Sequence, residues 1–324
     1  MEEFCAQEGI AYRICGKVIV AHKENDLPKL KEVYERGKSN GISCELISRS
    51  RLLELEPHVA GIKAVHVHET GIVDYKQVCE RLAVRIKEQG HQILTSAKAF
   101  DLKETDTEVV VRSTMGDFSA KYIINCGGLH SDRLASLGGH ASSAKIIPFR
   151  GEYFKLKPEA QHLCNNLIYP VPDPKFPFLG VHFTRMISGA VECGPNAVLA
   201  FAREGYRKAD INIADLFETM TYPGFLRLIT KYWRMGLSEM WRSISKASFV
   251  RALQCLIPKI TGDQLVPAPA GIRAQAVAPG GMLLDDFCFH ERPRVLNVVN
   301  APSPAATASL SIGKLIVETL AQRF

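Results

Sequence analysis

A chain of 324 residues suits one large or two modest domains, and 46% hydrophobic with 23% charged residues gives it enough apolar surface for a sizeable core. The net charge of +6 is mild and no Lys/Arg stripe is interleaved with aromatics, which sets nucleic-acid binding aside. Nine cysteines without a C-x-x-C spacing argue for reduced intracellular thiols and against structural zinc, and no apolar run reaches the length of a membrane span.

In chain order, residues 13–21 read as a strand, and Asn25 or Asp26 caps a helix that tolerates Pro28 in its first turn. Residues 63–69 are extended. Asp74 caps a helix over 75–89, with Val78, Leu82 and Ile86 at helical spacing and Gly90 at its end. Segments 109–111 and 122–124 flank Met115-Gly116-Asp117 as an antiparallel hairpin. The second of them runs into Asn125-Cys126-Gly127-Gly128 and a capped helix. Residues 145–201 are strand-rich. Residues 214–257 are helical, with breaks expected near Pro223-Gly224, Gly236 and Pro258. Residues 294–299 form a buried strand, 300–307 a loop of small residues, and 308–322 a helix. Strand and helix signals alternate without a repeat, so the fold class is α/β or mixed α+β.

Four stretches could carry chemistry. Gly127 and Gly128, at the carboxyl end of a strand, let backbone approach a cofactor, or serve only as a corner. His182 and Thr184 alternate on one strand face and point the same way. His182 is either a structural hydrogen-bonder or a base for an alcohol proton, since histidine titrates near working pH with little tuning. Arg273, after Gly271, is a solvated charge or a bidentate carboxylate clamp. Arg150 offers a second guanidinium, equally open to pairing with Glu152. The stretch 217–253 holds Trp233 and Trp241 among Arg and Lys. An inward-packed helical subdomain with a basic outer face is favoured over peripheral membrane contact.

Gly71-Ile72-Val73-Asp74-Tyr75, Pro148 to Tyr153, Ile168 to Asp173, Phe176 to Arg185, Gly194 to Phe201, Arg203 to Arg207, Gly271 to Gln275, Asp285-Asp286-Phe287 and Asn300 to Ala306 are the strings that carry a resemblance. Together they resemble the L-2-hydroxyglutarate dehydrogenase family, a branch of the FAD-dependent oxidoreductases of the D-amino-acid-oxidase type. The resemblance implies an FAD-binding Rossmann-like domain, with an α/β fold, over 70–145 and 265–324. It is interleaved with a mixed-sheet α+β substrate domain over 10–69 and 146–264, with a helical subdomain at about 212–257. It implies oxidation of a small dicarboxylate 2-hydroxy acid to the 2-oxo acid, hydride passing to FAD and then to an unidentified electron acceptor. It also implies a mitochondrial location in eukaryotes, although the acidic start Met1-Glu2-Glu3-Phe4 is unlike a targeting peptide. In this pattern His182 is the base and Arg273 the first carboxylate clamp, and Arg185 or Arg150 takes the distal carboxylate. Gly127, Gly128, Asp132, Ser303, Pro304, Ala305 and Ala306 lie along the cofactor, with no metal.

The family's opening G-x-G-x-x-G is not in this chain, where no two glycines stand two residues apart. On that ground the sheet lacks its first βαβ, and the chain as given is expected to bind FAD poorly and to be inactive. The alternatives are an amino-acid or amine oxidase of the same fold, and a non-catalytic remnant.

Overall fold

The computed structural model describes residues 1–139, 144–172, 180–301 and 305–322. Helix α1 (Glu2–Glu8) ends at Gly9, whose φ of +66 stops it. The strand expected over 13–21 is two, β1 (Tyr12–Ile14) and β2 (Lys17–Ala21), because Gly16 turns the backbone between them at φ +75. Then come α2 (Leu27–Ser39), β3 (Cys44–Ser48), α3 (Arg49–Leu55), β4 (Lys63–Val67) and β5 (Gly71–Val73). Helix α4 (Tyr75–Glu88) starts where Asp74 accepts the Lys76 N–H at 2.9 Å.

Strands β6 (Ala99–Glu104), β7 (Val109–Ser113) and β8 (Gly116–Ala120) form an antiparallel meander. The hairpin therefore closes on 116–120 and not on 122–124. Ser113 pairs directly with Gly116 across a two-residue turn, so β7 is fully paired before residue 122 is reached. Segment 122–124 instead contributes to β9 (Ile123–Asn125), followed by α5 (Ser131–Leu137).

Next are β10 (Lys145–Leu156), β11 (Leu167–Pro170), β12 (His182–Arg185), β13 (Val191–Leu199), α6 (Ile213–Thr221), α7 (Pro223–Ile244) and α8 (Lys246–Gln254). Pro223 opens α7 as expected, but Gly236 lies inside the helix. The irregular residue is Tyr232, at φ −118. The chain closes with β14 (Leu265–Val277), β15 (Cys288–Glu291), β16 (Val295–Asn300) and α9 (Ser309–Ala321).

One eight-stranded sheet runs in the order β14-β10-β13-β12-β11-β2-β4-β3, antiparallel except where β11 meets β2. Residues 265–277, expected on the cofactor side, thus form its edge strand. A smaller sheet, β15-β16-β9, pairs β16 with β9 in parallel. Among the described residues β9 has a strand neighbour on one side only. The main core lies on one face of the large sheet, where Val18, Ile168, Phe183 and Cys193 pack against Phe249, Leu253 and Ile257 of α8 and the turn after it. Phe183 and Phe249 are fully enclosed, each contributing about 1.5–3 kcal/mol.

Candidate active site

The parallel strands β9 and β16 present two strand-to-helix turns at the same sheet edge. After β9, Asn125 Oδ1 accepts the Gly127 N–H at 3.0 Å, while its Nδ2 donates to Ser131 O and to Asn297 Oδ1, each at 2.9 Å. Ser131 Oγ in turn donates to Val299 O of β16 at 2.8 Å. A Cβ on Gly127 would sit 2.4 Å from Leu134 Cδ1, so only glycine lets α5 come this close. Gly128 holds φ +53 and its missing Cβ opens onto empty space. Backbone exposed at the carboxyl ends of adjacent parallel strands is what a dinucleotide cofactor requires, and these residues fit one. At the second turn Ala305 and Ala306 lie in a 3-10 turn leading into α9, both partly or fully exposed. Ser303 and Pro304 lie outside the described residues.

Asp132, expected on the cofactor, faces the other way. It is 4% exposed and holds Arg203, 3% exposed, through paired contacts at 2.6 and 2.9 Å. It also accepts the Ile146 N–H at 3.0 Å, and Arg203 donates to Leu129 O at 2.7 Å. Asp132 is a bolt holding the glycine turn against β10 and segment 203–218. The network continues through Asp215, which takes the Arg203 N–H at 2.7 Å, to Arg133 and Glu218 at 2.5 Å. Lys145 meets the other Glu218 oxygen at 2.9 Å. Burial works against the Glu218 carboxylate, but Arg133, Lys145 and Arg203 outweigh it and hold its pKa at about 2. The stability this adds is present above the unfolded value and is lost as pH falls from about 4.5 towards 2. Glu218→Gln is accordingly expected to flatten the acid limb of a stability–pH curve measured by urea unfolding. An acid limb as steep as the wild type's would rule this out.

The second part of the site is the other face of the large sheet. Alternation along β2, β11, β12 and β10 sends Val18, Ile168, Phe183 and Phe154 into the core and Lys17, Tyr169, His182, Thr184 and Tyr153 to the opposite side. At one end α2 covers this side, its Leu30 packing with Ile19 and Val65. At the other end Phe225 and Leu228 of α7 pack on Ile147, Phe149 and Leu199. Between the two helices lies a half-exposed strip.

On it the His182 ring stacks on Tyr169, centroids 4.1 Å apart at 18°, and Lys17 Nζ sits 5.3 Å from the Tyr169 ring. His182 Nδ1 lies 3.0 Å from Gly180 O, which assigns it the proton and leaves Nε2 as the acceptor. Burial lowers the His182 pKa to about 4; the Gly180 bond opposes this and the Lys17 charge adds to it. The imidazole is thus neutral at pH 7, further from working pH than histidine's ordinary value suggested.

Arg273 stands opposite Phe149, which stands opposite Leu199, so it shares this face with His182. Its guanidinium is partly desolvated, which lowers its pKa, and Asp285 opposes the shift. Strand spacings of about 4.8 Å and a rise of about 3.3 Å per residue put Arg273 and His182 roughly 20 Å apart, backbone to backbone. Gly151, Ala197 and Gly194 lie between them and keep the strip low.

Arg150 and Arg185 lie on the opposite, core-side face from His182. Arg150 neighbours Phe149 in the chain, so it turns inward, where it pairs with Glu152 at 3.0 Å and donates to Gly205 O and Arg207 O. Arg185 alternates with Thr184 and spends its donors on Cys164 O, Gln161 O and Gly189 O. Both guanidiniums expected at a distal carboxylate are thus already partnered within the protein. Sequence reading missed Lys17, Tyr153 and Tyr169. An apolar cavity of about 390 Å³ under α7, lined by Phe149, Leu199, Phe225 and Trp233, offers Glu239 as its charged group and therefore no cation for a carboxylate.

Residues 1–319 match the family model described as FAD dependent oxidoreductase. The chain belongs to the FAD-dependent oxidoreductase family. Within that family it stands among the L-2-hydroxyglutarate dehydrogenases. It is 48% identical over 323 residues to the L-2-hydroxyglutarate dehydrogenase of Indibacter alkaliphilus, covering 99% of this chain and 81% of that one. It is 40% identical over 340 residues to the mitochondrial L-2-hydroxyglutarate dehydrogenase of Homo sapiens, covering 99% and 73%. Among solved structures, L-alpha-glycerophosphate oxidase from Mycoplasma pneumoniae with FAD bound shares the fold at TM-score 0.75 and 20% identity, covering 96% of this chain and 74% of that one.

Proposed function

We propose that this protein oxidises L-2-hydroxyglutarate to 2-oxoglutarate with FAD as its cofactor. The observation that carries the proposal is the 48% identity over 99% of the chain to a dehydrogenase of that name. The main chain at Gly127 and Gly128, with Ala305 and Ala306 at the head of α9, would line the cofactor. FAD, when bound, supplies the acceptor for the hydride leaving C2.

The chain's own residues hold the substrate and move the proton. The Arg273 fork binds one carboxylate. A carboxylate clamp set apart from the base on the same face suits a dicarboxylate better than a monocarboxylic hydroxy acid. Such a substrate therefore sits with its far carboxylate on Arg273 and its C1–C2 end towards His182. Neutral His182 presents Nε2 to the C2 hydroxyl and takes its proton, and the dianion's approach offsets the burial that keeps the ring weakly basic. Lys17 supplies positive charge beside it. Tyr153 and Tyr169, whose burial raises their pKa values, remain hydrogen-bond donors.

His182→Asn is expected to lower kcat by about 10²–10⁴-fold while flavin content is kept. A kcat equal to the wild type's would remove His182 as base. The human relative's name specifies the mitochondrion and the bacterial one does not, so the proposal is of a reaction and not a compartment. Peripheral membrane contact belongs to it as well. Trp233, Leu237, Trp241 and Ile244 are exposed along α7 beside Arg234 and Arg242, and pelleting with anionic liposomes, lost in Trp241→Asp, tests it.

A further inference from the structure

On the core-side face of the large sheet, at its outer edge, three ligand-type side chains meet. Glu45 of β3 pairs directly with His66 of β4, and His68 follows two residues on, facing the same way. His66 Nδ1 and His68 Nε2 each lie 3.6 Å from Glu45 Oε1, and all three donor atoms are within 4.8 Å of one another.

Those separations are too long for hydrogen bonds. They suit ligands on one small cation, since donors at 2.0–2.2 Å on a tetrahedral ion stand about 3.4 Å apart. His66 Nδ1 is also buried with no hydrogen-bond partner, a cost that a histidine chosen only for packing would avoid. Gly16 makes the ring's position tenable, because a Cβ there would come within 2.8 Å of His66 Nε2. Arg51, the nearby cation, is held by Glu54 at 2.6 Å.

We propose that Glu45, His66 and His68 bind one divalent transition-metal ion of the zinc class, with water completing its coordination. Two imidazoles and a carboxylate select zinc, cobalt, nickel or copper over calcium and magnesium, which take oxygen ligands. No cysteine takes part, so the absence of cysteine spacing motifs gave no hint of it. The ion would clasp β3 to β4 on the opposite side of the sheet from His182, independently of the redox chemistry.

The test is a Co²⁺ titration of chelator-treated full-length protein. The wild type is expected to take up one equivalent, with visible d–d absorption and no sulfur-to-metal charge-transfer band. Zn²⁺ is expected to displace it and to raise Tm. His68→Ala and Glu45→Gln, both at exposed positions, are expected to weaken uptake by at least about tenfold. Uptake unchanged in both variants, a thiolate band, or no uptake by the wild type would each overturn the proposal.

Discussion

Arg203→Met is expected to cost about 3–5 kcal/mol of folding stability, the largest loss expected of any single substitution described above. The magnitude follows from what stays behind. Asp132 is 4% exposed and would lose the guanidinium that now meets both its oxygens. Burying an unpaired carboxylate is far costlier than losing a surface ion pair, worth about 0–1 kcal/mol. The double variant Arg203→Met with Asp132→Leu is therefore expected to recover part of the loss, because neither partner is then left charged. Urea unfolding of the three variants decides it. A loss below about 1 kcal/mol for the single variant would show that solvent reaches Asp132 and that the bolt behind the glycine turn is weak.

Arg273→Ala is expected to lower kcat/KM for L-2-hydroxyglutarate by about 10²–10⁴-fold. Two charge-assisted hydrogen bonds to a carboxylate, at about 1.5–3 kcal/mol each, account for a loss of that order. Arg273→Lys keeps the charge but not the planar fork, so it is expected to recover only part of the activity. Much of the change should appear in KM, since the carboxylate is bound in ground state and transition state alike. Steady-state kinetics of both variants, with flavin content measured in parallel, separates lost substrate binding from lost cofactor. A kcat/KM unchanged in Arg273→Ala would move the clamp to another residue.

The limits of sequence reading here follow strand pairing. His182 and Thr184 were legible as one face of a strand, and the same alternation already placed Phe183 and Arg185 on the other. The sequence shows that Arg185 has a face; only the packing shows which face is core. For Arg150 the sequence left pairing with Glu152 open, and the structure has that pair, because β10 pairs so that Phe149 and Arg273 look outward together and Arg150 turns inward. Lys17 could not be found locally. It joins Tyr169 only through the parallel pairing of β2 with β11, some 150 residues away in the chain. The run from Asn125 to Asp132 was correctly read as a strand turning into a helix. Its polar residues, however, build the turn: Asn125 reaches Asn297, 172 positions on, and Asp132 reaches Arg203, 71 positions on.

Anaerobic addition of L-2-hydroxyglutarate to the FAD-loaded protein tests the proposed function most directly. The predicted result is loss of the oxidised flavin absorbance with one 2-oxoglutarate formed per flavin, and no change with the D-enantiomer. Flavin that stays oxidised with the L-enantiomer, or that is bleached by an amino acid instead, would contradict it.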